Sequence, residues 1–126
     1  AYQFSPVFDE LRLKELYMDN YDQVNLMFDI FLKNTPNSFA QIENQWETGD
    51  WMSLNDSVHK IKPTFTMVGL NYVSNMAKQL EDQSQQTLKG SSMKESFKRF
   101  KAAVLESLHL VASEKKKLEE FQFINP

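Results

Sequence analysis

One apolar stripe between residues 51 and 68 constrains the fold of this chain more than any other feature. Its members recur at alternating steps of three and four positions: Trp51, Leu54, Val58, Ile61, Phe65 and Val68. At about 100° per residue these side chains fall on one face of an α-helix, whereas a strand would need strict alternation. The stripe therefore predicts a long helix that buries one face.

The rest of the chain carries similar spacing, separated by few turn-forming residues. Its 126 residues include three glycines and four prolines, so few turns and long helices are expected. Two further long stripes follow the first. They comprise Val73, Met76, Ala77, Leu80, Ser84 and Thr87, and then Met93, Phe97, Phe100, Val104, Leu108 and Val111. No strand pattern competes with them.

The N-terminal part predicts two short helices and then a longer one. Ser5-Pro6 opens the first segment, and Asn20 precedes the second. The apolar positions are Phe8, Leu11 and Leu16 in the first segment and Val24, Met27, Phe28, Phe31 and Leu32 in the second. Thr35 and Pro36 combine a capping residue with proline at the first helical position, which predicts the start of the third helix.

Capping residues mark the remaining helix ends. Gly49 is expected to end the third helix, and Asp50 can cap the next. Ser92 and Glu95 have the spacing of a capping box for a long last helix. Because the connections are short, sequential helices should be antiparallel neighbours. We predict an all-α fold, an antiparallel four-helix bundle with two shorter N-terminal helices, in a single domain spanning residues 1–126.

Composition excludes several classes of function. The formal charge is −3, whereas nucleic-acid-binding domains are usually basic. The chain has no cysteine, which excludes disulfides and thiolate metal sites and fits a reducing compartment. It shows no apolar run long enough to span a membrane and no signal peptide. It also has no Gly-rich phosphate loop. The sequence does not begin with Met, as expected of an excised or processed segment. We expect a cytoplasmic protein with no nucleic-acid or membrane partner.

The chain has two histidines, His59 and His109, and the first has the more informative surroundings. On a helical wheel His59 lies about 130° from the centre of the apolar face, so it should point to solvent or a groove edge. Asn55, Lys62 and Thr66 share its polar stripe. An ammonium one turn from an imidazole suits an anion bound between them, and a neutral imidazole nitrogen can attack a phosphoryl group. An ordinary surface histidine would occupy the same position.

Glu81 is expected at the same level as His59 in a helical hairpin. Gly69 turns the chain, ten residues after His59 and twelve before Glu81. At about 1.5 Å per residue, both lie roughly 15–18 Å from the turn. A carboxylate there could accept the Nδ1 proton, fix the tautomer and leave Nε2 outward. A solvated helix charge would show the same spacing.

His59, Ile61, Lys62 and Gly69 have a spacing that resembles the signature of histidine-containing phosphotransfer (HPt) domains of two-component phosphorelays. That signature is His-x-(Leu/Ile)-Lys-Gly-(Ser/Ala)-(Ser/Ala)-x-x-x-Gly. A Leu-Glu pair further on matches Leu80-Glu81, where the family places the residue that holds the histidine. Upstream, the family pattern is matched by Phe31, Leu32, Pro36, Phe39, Ile42 and Asp50.

The resemblance implies a phosphocarrier, not an enzyme. His59 would receive a phosphoryl group on Nε2 from the aspartate of a response-regulator receiver domain and pass it to another receiver. Lys62 would neutralise phosphoryl charge, and Glu81 would orient His59. The implied partners are receiver domains and a hybrid sensor histidine kinase. The chain would be a monomer without a cofactor of its own, because the receiver supplies Mg²⁺.

Two positions depart from the family pattern. Pro63 stands where the family has glycine, and Phe65 where it has a small residue. Pro63 removes an amide that would bond to the His59 carbonyl, so the helix is expected to bend there, with the ring facing outward. Phe65 lies on the apolar stripe and is expected to fill the core. A variant subgroup with its own partners is our hypothesis.

Two other functions are compatible with parts of the sequence. Asp56-x-x-His59 and Glu106-x-x-His109 resemble carboxylate–histidine units of di-iron bundles, but both should point outward, so no metal site is expected. The same bundle could also be an interaction module that binds a receiver or another signalling partner without phosphorylation. Candidates for its docking patch are Tyr17, Tyr21 and Tyr72, and candidates for acidic contacts are Lys60 and Lys78.

Overall fold

The computed structural model describes residues 1–86 and 89–126, and it forms five helices with no strand in those ranges. The helices are α1 (Glu10–Tyr17), α2 (Tyr21–Thr48), α3 (Trp51–Met67), α4 (Asn71–Ser84) and α5 (Ser91–Ile124). The all-α prediction is confirmed. One predicted stripe position, Thr87, lies outside the described residues.

The four longer helices contact one another in a cyclic order. Helix α2 contacts α3 and α5, and α4 contacts the same two helices, while α1 lies against α2 and α3. The core lies between them. Its fully buried large side chains include Phe28, Leu54, Phe65, Leu80 and Phe100. Within the described chain, no helix has an apolar stretch long enough to cross a membrane.

The predicted cap residues between α2 and α3, Gly49 and Asp50, are confirmed. The side chain of Asn20 accepts a hydrogen bond from the backbone N–H of Gln23, and that of Asp50 from the N–H of Ser53. Gly49 ends α2 with φ of 71°, in the left-handed region that glycine adopts without steric cost. These caps fix the start of α3 and therefore the level of the side chains it carries.

The predicted capping box of the last helix is wrong. Helix α5 already begins at Ser91, and Gly90 precedes it without a side-chain cap. Ser92 therefore lies inside the first helical turn, where its backbone is helical and cannot adopt the extended conformation of an N-cap. Glu95 therefore has no N-cap residue three positions before it with which to form a capping box.

The predicted helix start at Thr35 and Pro36 is also wrong, because α2 runs through both residues. One short N-terminal helix is therefore present, and the second predicted one is the first half of α2. Proline leaves the Leu32 carbonyl without its usual amide partner, but the Pro36 ring is exposed. The buried positions before and after Pro36 form one continuous stripe along α2: Val24, Phe28, Phe31, Thr35, Phe39 and Ile42. Burial of this continuous face outweighs the local break.

The buried face of α1 differs from the predicted one. Leu11 and Leu16 are exposed, whereas Leu13 and Tyr17, four residues apart, face the core. Phe8 is buried as expected, but it precedes the helix. In a helix of eight residues, two buried side chains on consecutive turns are enough to hold it against its neighbours.

A buried carboxylate on α5 holds the N-terminal arm. Glu114 is 2% exposed, and it accepts hydrogen bonds from the Tyr2 hydroxyl at 2.8 Å and from the Ser5 amide and hydroxyl at 2.9 and 2.6 Å. Burial and the adjacent Glu114 carboxylate raise the pKa of Tyr2 well above its usual range. The arm is therefore an ordered part of the fold.

Candidate functional site

Helix α3 carries His59 on its outer face. The side chain of His59 is 67% exposed, whereas Val58 and Ile61 are buried on the inner face. This is the orientation that the helical wheel predicts, because positions 58 and 61 belong to the apolar stripe and position 59 does not. A partner molecule can therefore reach the imidazole from solvent.

Helix α4 places Glu81 beside His59. The Nδ1 atom of His59 lies 2.5 Å from Oε2 of Glu81, whose side chain is only 8% exposed. The two residues meet because the turn at Gly69 reverses the chain at nearly equal distances from both. The spacing argument placed them at the same level, and the structure brings them into hydrogen-bonding contact.

Lys62 contacts the other oxygen of the same carboxylate. Its Nζ lies 2.8 Å from Oε1 of Glu81, and the lysine side chain is 23% exposed. The spacing predicts an anion between Lys62 and His59. In the structure Glu81 occupies that place and contacts the two side chains through separate oxygens.

The electrostatic balance at Glu81 favours its ionised form. Burial of the carboxyl group acts to raise its pKa, but the hydrogen bonds from Lys62 and His59, together with the charges of both partners, hold the pKa of Glu81 below its ordinary value. An ionised carboxylate can only accept a hydrogen bond, so Nδ1 of His59 must donate one. The lone pair of neutral His59 is then on Nε2, the ring atom away from Glu81.

Below this pair, a clamp formed by Asn55 and Ser84 joins α3 to α4. The Asn55 amide Nδ2 donates to the Glu81 carbonyl oxygen at 3.0 Å and lies 2.9 Å from the Ser84 hydroxyl. That hydroxyl donates to the same carbonyl at 2.7 Å. Sequence reasoning placed Asn55 in the polar stripe and Ser84 in the core stripe, and missed their contact. The available signal was their position, four residues before His59 and three after Glu81.

The two departures from the signature take the orientations that the sequence predicts. Pro63 is exposed, and α3 continues through it to Met67. Phe65 is fully buried, with its ring centroid 5.7 Å from that of Phe31 and 6.0 Å from that of Phe100. Neither side chain blocks access to His59.

A groove runs between α2 and α3, on the side of α3 away from the His59–Glu81 contact. Its volume is about 200 Å³, and its lining includes Ile30, Met67 and Lys60. Ile30 and Met67 are 40% and 42% exposed, so the groove offers an accessible apolar surface. Lys60 follows His59 directly in the chain and contributes a positive charge to the groove.

The remaining candidates are not part of this site. Tyr17 is buried and donates to the Met67 carbonyl, so it is an ordinary packing residue and not an exposed docking residue. Half-buried Tyr21 accepts from the Tyr2 amide, and Tyr72 donates to Glu106 at 3.3 Å. Lys78 is an exposed partner of Asp82.

The carboxylate–histidine pairs weighed as metal ligands face solvent. Asp56, Glu106 and His109 are exposed, as the wheel predicts. Over residues 1–86 and 89–126, no three His, Asp or Glu side chains are grouped closely enough to hold a metal ion.

Comparison with known families agrees with the resemblance seen in the sequence. A family model described as Hpt domain matches residues 26–114, more than half of the chain and all of the site. The chain belongs to the Hpt domain family. Domains of this family act as phosphocarriers in two-component signalling and interact with receiver domains and kinases. The comparisons with curated proteins and with solved structures gave no match.

Proposed function

We propose that this chain carries a phosphoryl group between the aspartates of receiver domains, with His59 as the phosphoacceptor on an antiparallel bundle of α2 to α5. The observation that supports this most directly is the geometry of His59. Its ring is exposed, its Nδ1 is held by Glu81, and its Nε2 is left as the nucleophilic atom. Family membership supports the class of reaction.

The proposed transfer needs no further reactant. The Nε2 lone pair of neutral His59 attacks the phosphorus of an aspartyl phosphate, a P–N bond forms, and the P–O bond to the receiver aspartate breaks. The aspartate leaves as a carboxylate, and the imidazole ring gains positive charge. Glu81 accepts the hydrogen bond from Nδ1–H and stabilises that charge, so the product retains its proton. The reverse steps deliver the group to the next receiver.

Lys62 and the partner supply the positive charge that phosphoryl transfer requires. Lys62 lies one helical turn from His59 and contacts the far oxygen of Glu81. We assign it to neutralising the phosphoryl oxygens, since catalysis of this reaction depends mainly on positioning and electrostatics. The receiver would contribute Mg²⁺ through its own acidic residues. A hybrid sensor histidine kinase would supply the first phosphorylated receiver.

The groove between α2 and α3 is the proposed docking surface for the receiver. Ile30 and Met67 offer accessible apolar area, and Lys60 can approach the acidic residues of a receiver. A partner that extends from this groove across the outer face of α3 would bring its aspartyl phosphate to His59. One surface would then serve both donor and acceptor receivers.

The test is phosphoryl transfer from a purified phosphorylated receiver domain and Mg²⁺ to the wild-type chain, to His59→Ala and to His109→Ala. His109 is the matched control, because it is the second histidine and is also exposed. We expect an acid-labile, base-stable phosphoryl group on the wild type and on His109→Ala, and none on His59→Ala.

Two results would contradict the proposal. Transfer that persists in His59→Ala but disappears in His109→Ala would move the acceptor to the other histidine. Absence of transfer from several receivers that phosphorylate other Hpt domains, with binding retained, would establish the interaction module instead.

A further inference from the structure

The Asn55–Ser84 clamp satisfies a backbone group that helix α4 leaves without an intrahelical partner. Helix α4 ends at Ser84, and the N–H of Gln85 bonds to the Asp82 carbonyl instead of the Glu81 carbonyl. The last carbonyls of a helix need partners from elsewhere. The Glu81 carbonyl receives two, the Asn55 amide and the Ser84 hydroxyl.

This arrangement connects the backbone of Glu81 to the same helix that carries His59. Asn55 lies one turn before His59 on α3, so its hydrogen bond and the His59–Glu81 bond join the same two helices one turn apart. The Glu81 side chain therefore approaches the imidazole from a backbone that is itself held to α3. Without the clamp, the last turn of α4 would be free to fray, and Glu81 lies in that turn.

We propose that Asn55 is a positioning residue for the phosphoacceptor, and that it acts with Ser84 by holding the Glu81 backbone at the level where the carboxylate meets Nδ1 of His59. This inference rests on the proposed function of His59. Asn55 touches neither the imidazole nor the phosphoryl group. Its effect is on the tautomer of His59 and on the alignment of Nε2.

A purely structural role predicts a different result. If the clamp only stabilised the fold, its loss would lower stability and leave the remaining folded molecules with an unchanged His59–Glu81 contact. If it positions Glu81, the folded molecules themselves will show a weakened contact. The ¹⁵N chemical shifts of the imidazole separate these cases, because they distinguish a protonated ring nitrogen from an unprotonated one. The chain has only two histidines, so the spectrum is simple.

The experiment compares Asn55→Ala with Asn25→Ala at a pH where His59 is neutral. Asn25 is a matched control because its Nδ2 also joins two helices, donating to Gln122 from α2 to α5. We expect wild type and Asn25→Ala to show a protonated Nδ1 and an unprotonated Nε2. Asn55→Ala should shift both nitrogens toward a tautomer average and slow transfer from a phosphorylated receiver by roughly 10- to 100-fold.

Ser84→Ala provides a second variant that decides the question if Asn55→Ala does not fold. Its control is Ser107→Ala, since Ser107 is also buried and its hydroxyl donates to the Ala103 carbonyl within α5. Imidazole shifts that remain at wild-type values in the folded clamp variants would overturn the inference, as would equal shifts in the control variants. If wild type accepts no phosphoryl group, the proposed function fails, while the ¹⁵N shifts still decide whether the clamp positions Glu81.

Discussion

Substitution of Gly69 by alanine tests the turn that brings the two helices of the site together. Gly69 has φ of +76°, in the region that alanine adopts only with strain. A Cβ added there would lie 2.9 Å from Cγ and 3.0 Å from Cδ1 of Leu13. Leu13 is 1% exposed, so it cannot move into solvent to relieve the contact. Both effects act against the folded state.

The expected loss follows from these two effects. Left-handed backbone costs about 1–2 kcal/mol for a residue with a Cβ. Overpacking against a buried leucine costs about 1–3 kcal/mol. Alanine also lowers the conformational entropy of the unfolded chain, which offsets about 0.4–1 kcal/mol of this destabilisation. We therefore expect Gly69→Ala to lower the free energy of unfolding by about 1–5 kcal/mol.

Urea denaturation followed by circular dichroism measures this loss. With an m-value of about 1.5 kcal/mol/M, the midpoint should fall by roughly 1–3 M at unchanged m. Gly90→Ala is the control, since Gly90 has φ of −119° and an added Cβ would meet no atom within 4 Å. Its free energy of unfolding should stay within about 0.5 kcal/mol of wild type. A Gly69→Ala variant as stable as Gly90→Ala would refute the reasoning.

Three other positions support quantitative expectations that urea denaturation can check. Phe65→Ala should lower stability by about 3–5 kcal/mol because it empties the core, whereas Phe123→Ala, at a site 87% exposed, should change it by less than about 0.5 kcal/mol. Pro36→Ala should raise stability by about 1–3 kcal/mol because it restores the amide that the Leu32 carbonyl lacks. Glu81→Gln should cost about 2 kcal/mol at pH 7. Since the pKa of Glu81 is lowered by folding, that difference should shrink as the pH falls below the ordinary value of 4.5.

A specific result would contradict each of these three expectations. Equal losses for the two phenylalanine variants would mean that Phe65 does not support the core. A lower midpoint for Pro36→Ala would mean that the restricted φ of proline stabilises α2 more than the missing bond weakens it. A difference between wild type and Glu81→Gln that stays constant down to pH 3 would mean that folding does not favour the ionised carboxylate.

The register of the site was predictable because helix geometry is regular. The rise per residue and the position of Gly69 place His59 and Glu81 at one level, and the apolar stripe places His59 outside. Which side chains contact one another at the site could not be predicted in the same way. Whether Lys62 binds an external anion or Glu81 depends on side-chain rotamers, and spacing contains no information on them. The contact between Asn55 and Ser84 depends on how two helices are rotated about their axes.

The errors in the fold have a common physical origin. The pair Thr35-Pro36 is a strong local signal for a helix start, yet tertiary burial of one continuous face overrides it. The same applies to Leu11 and Leu16, whose hydrophobicity does not decide which side of α1 faces the core. Local preferences amount to a few kcal/mol at most, and a whole buried face is worth more. The signals at Gly49 and Asp50, by contrast, agree with the structure.

The carboxylate of Glu114 also determines when the beginning of the chain can become ordered. Tyr2 and Ser5 leave the ribosome before the rest of this domain, but the acceptor of their hydrogen bonds lies 109 residues after Ser5. At about 5–20 residues per second, the arm waits roughly 5–20 s for its partner during synthesis. Closing so long a loop is slow and entropically costly, so the N-terminal arm should be among the last segments to dock. The part of this domain that is synthesised earliest is thus among the last to dock.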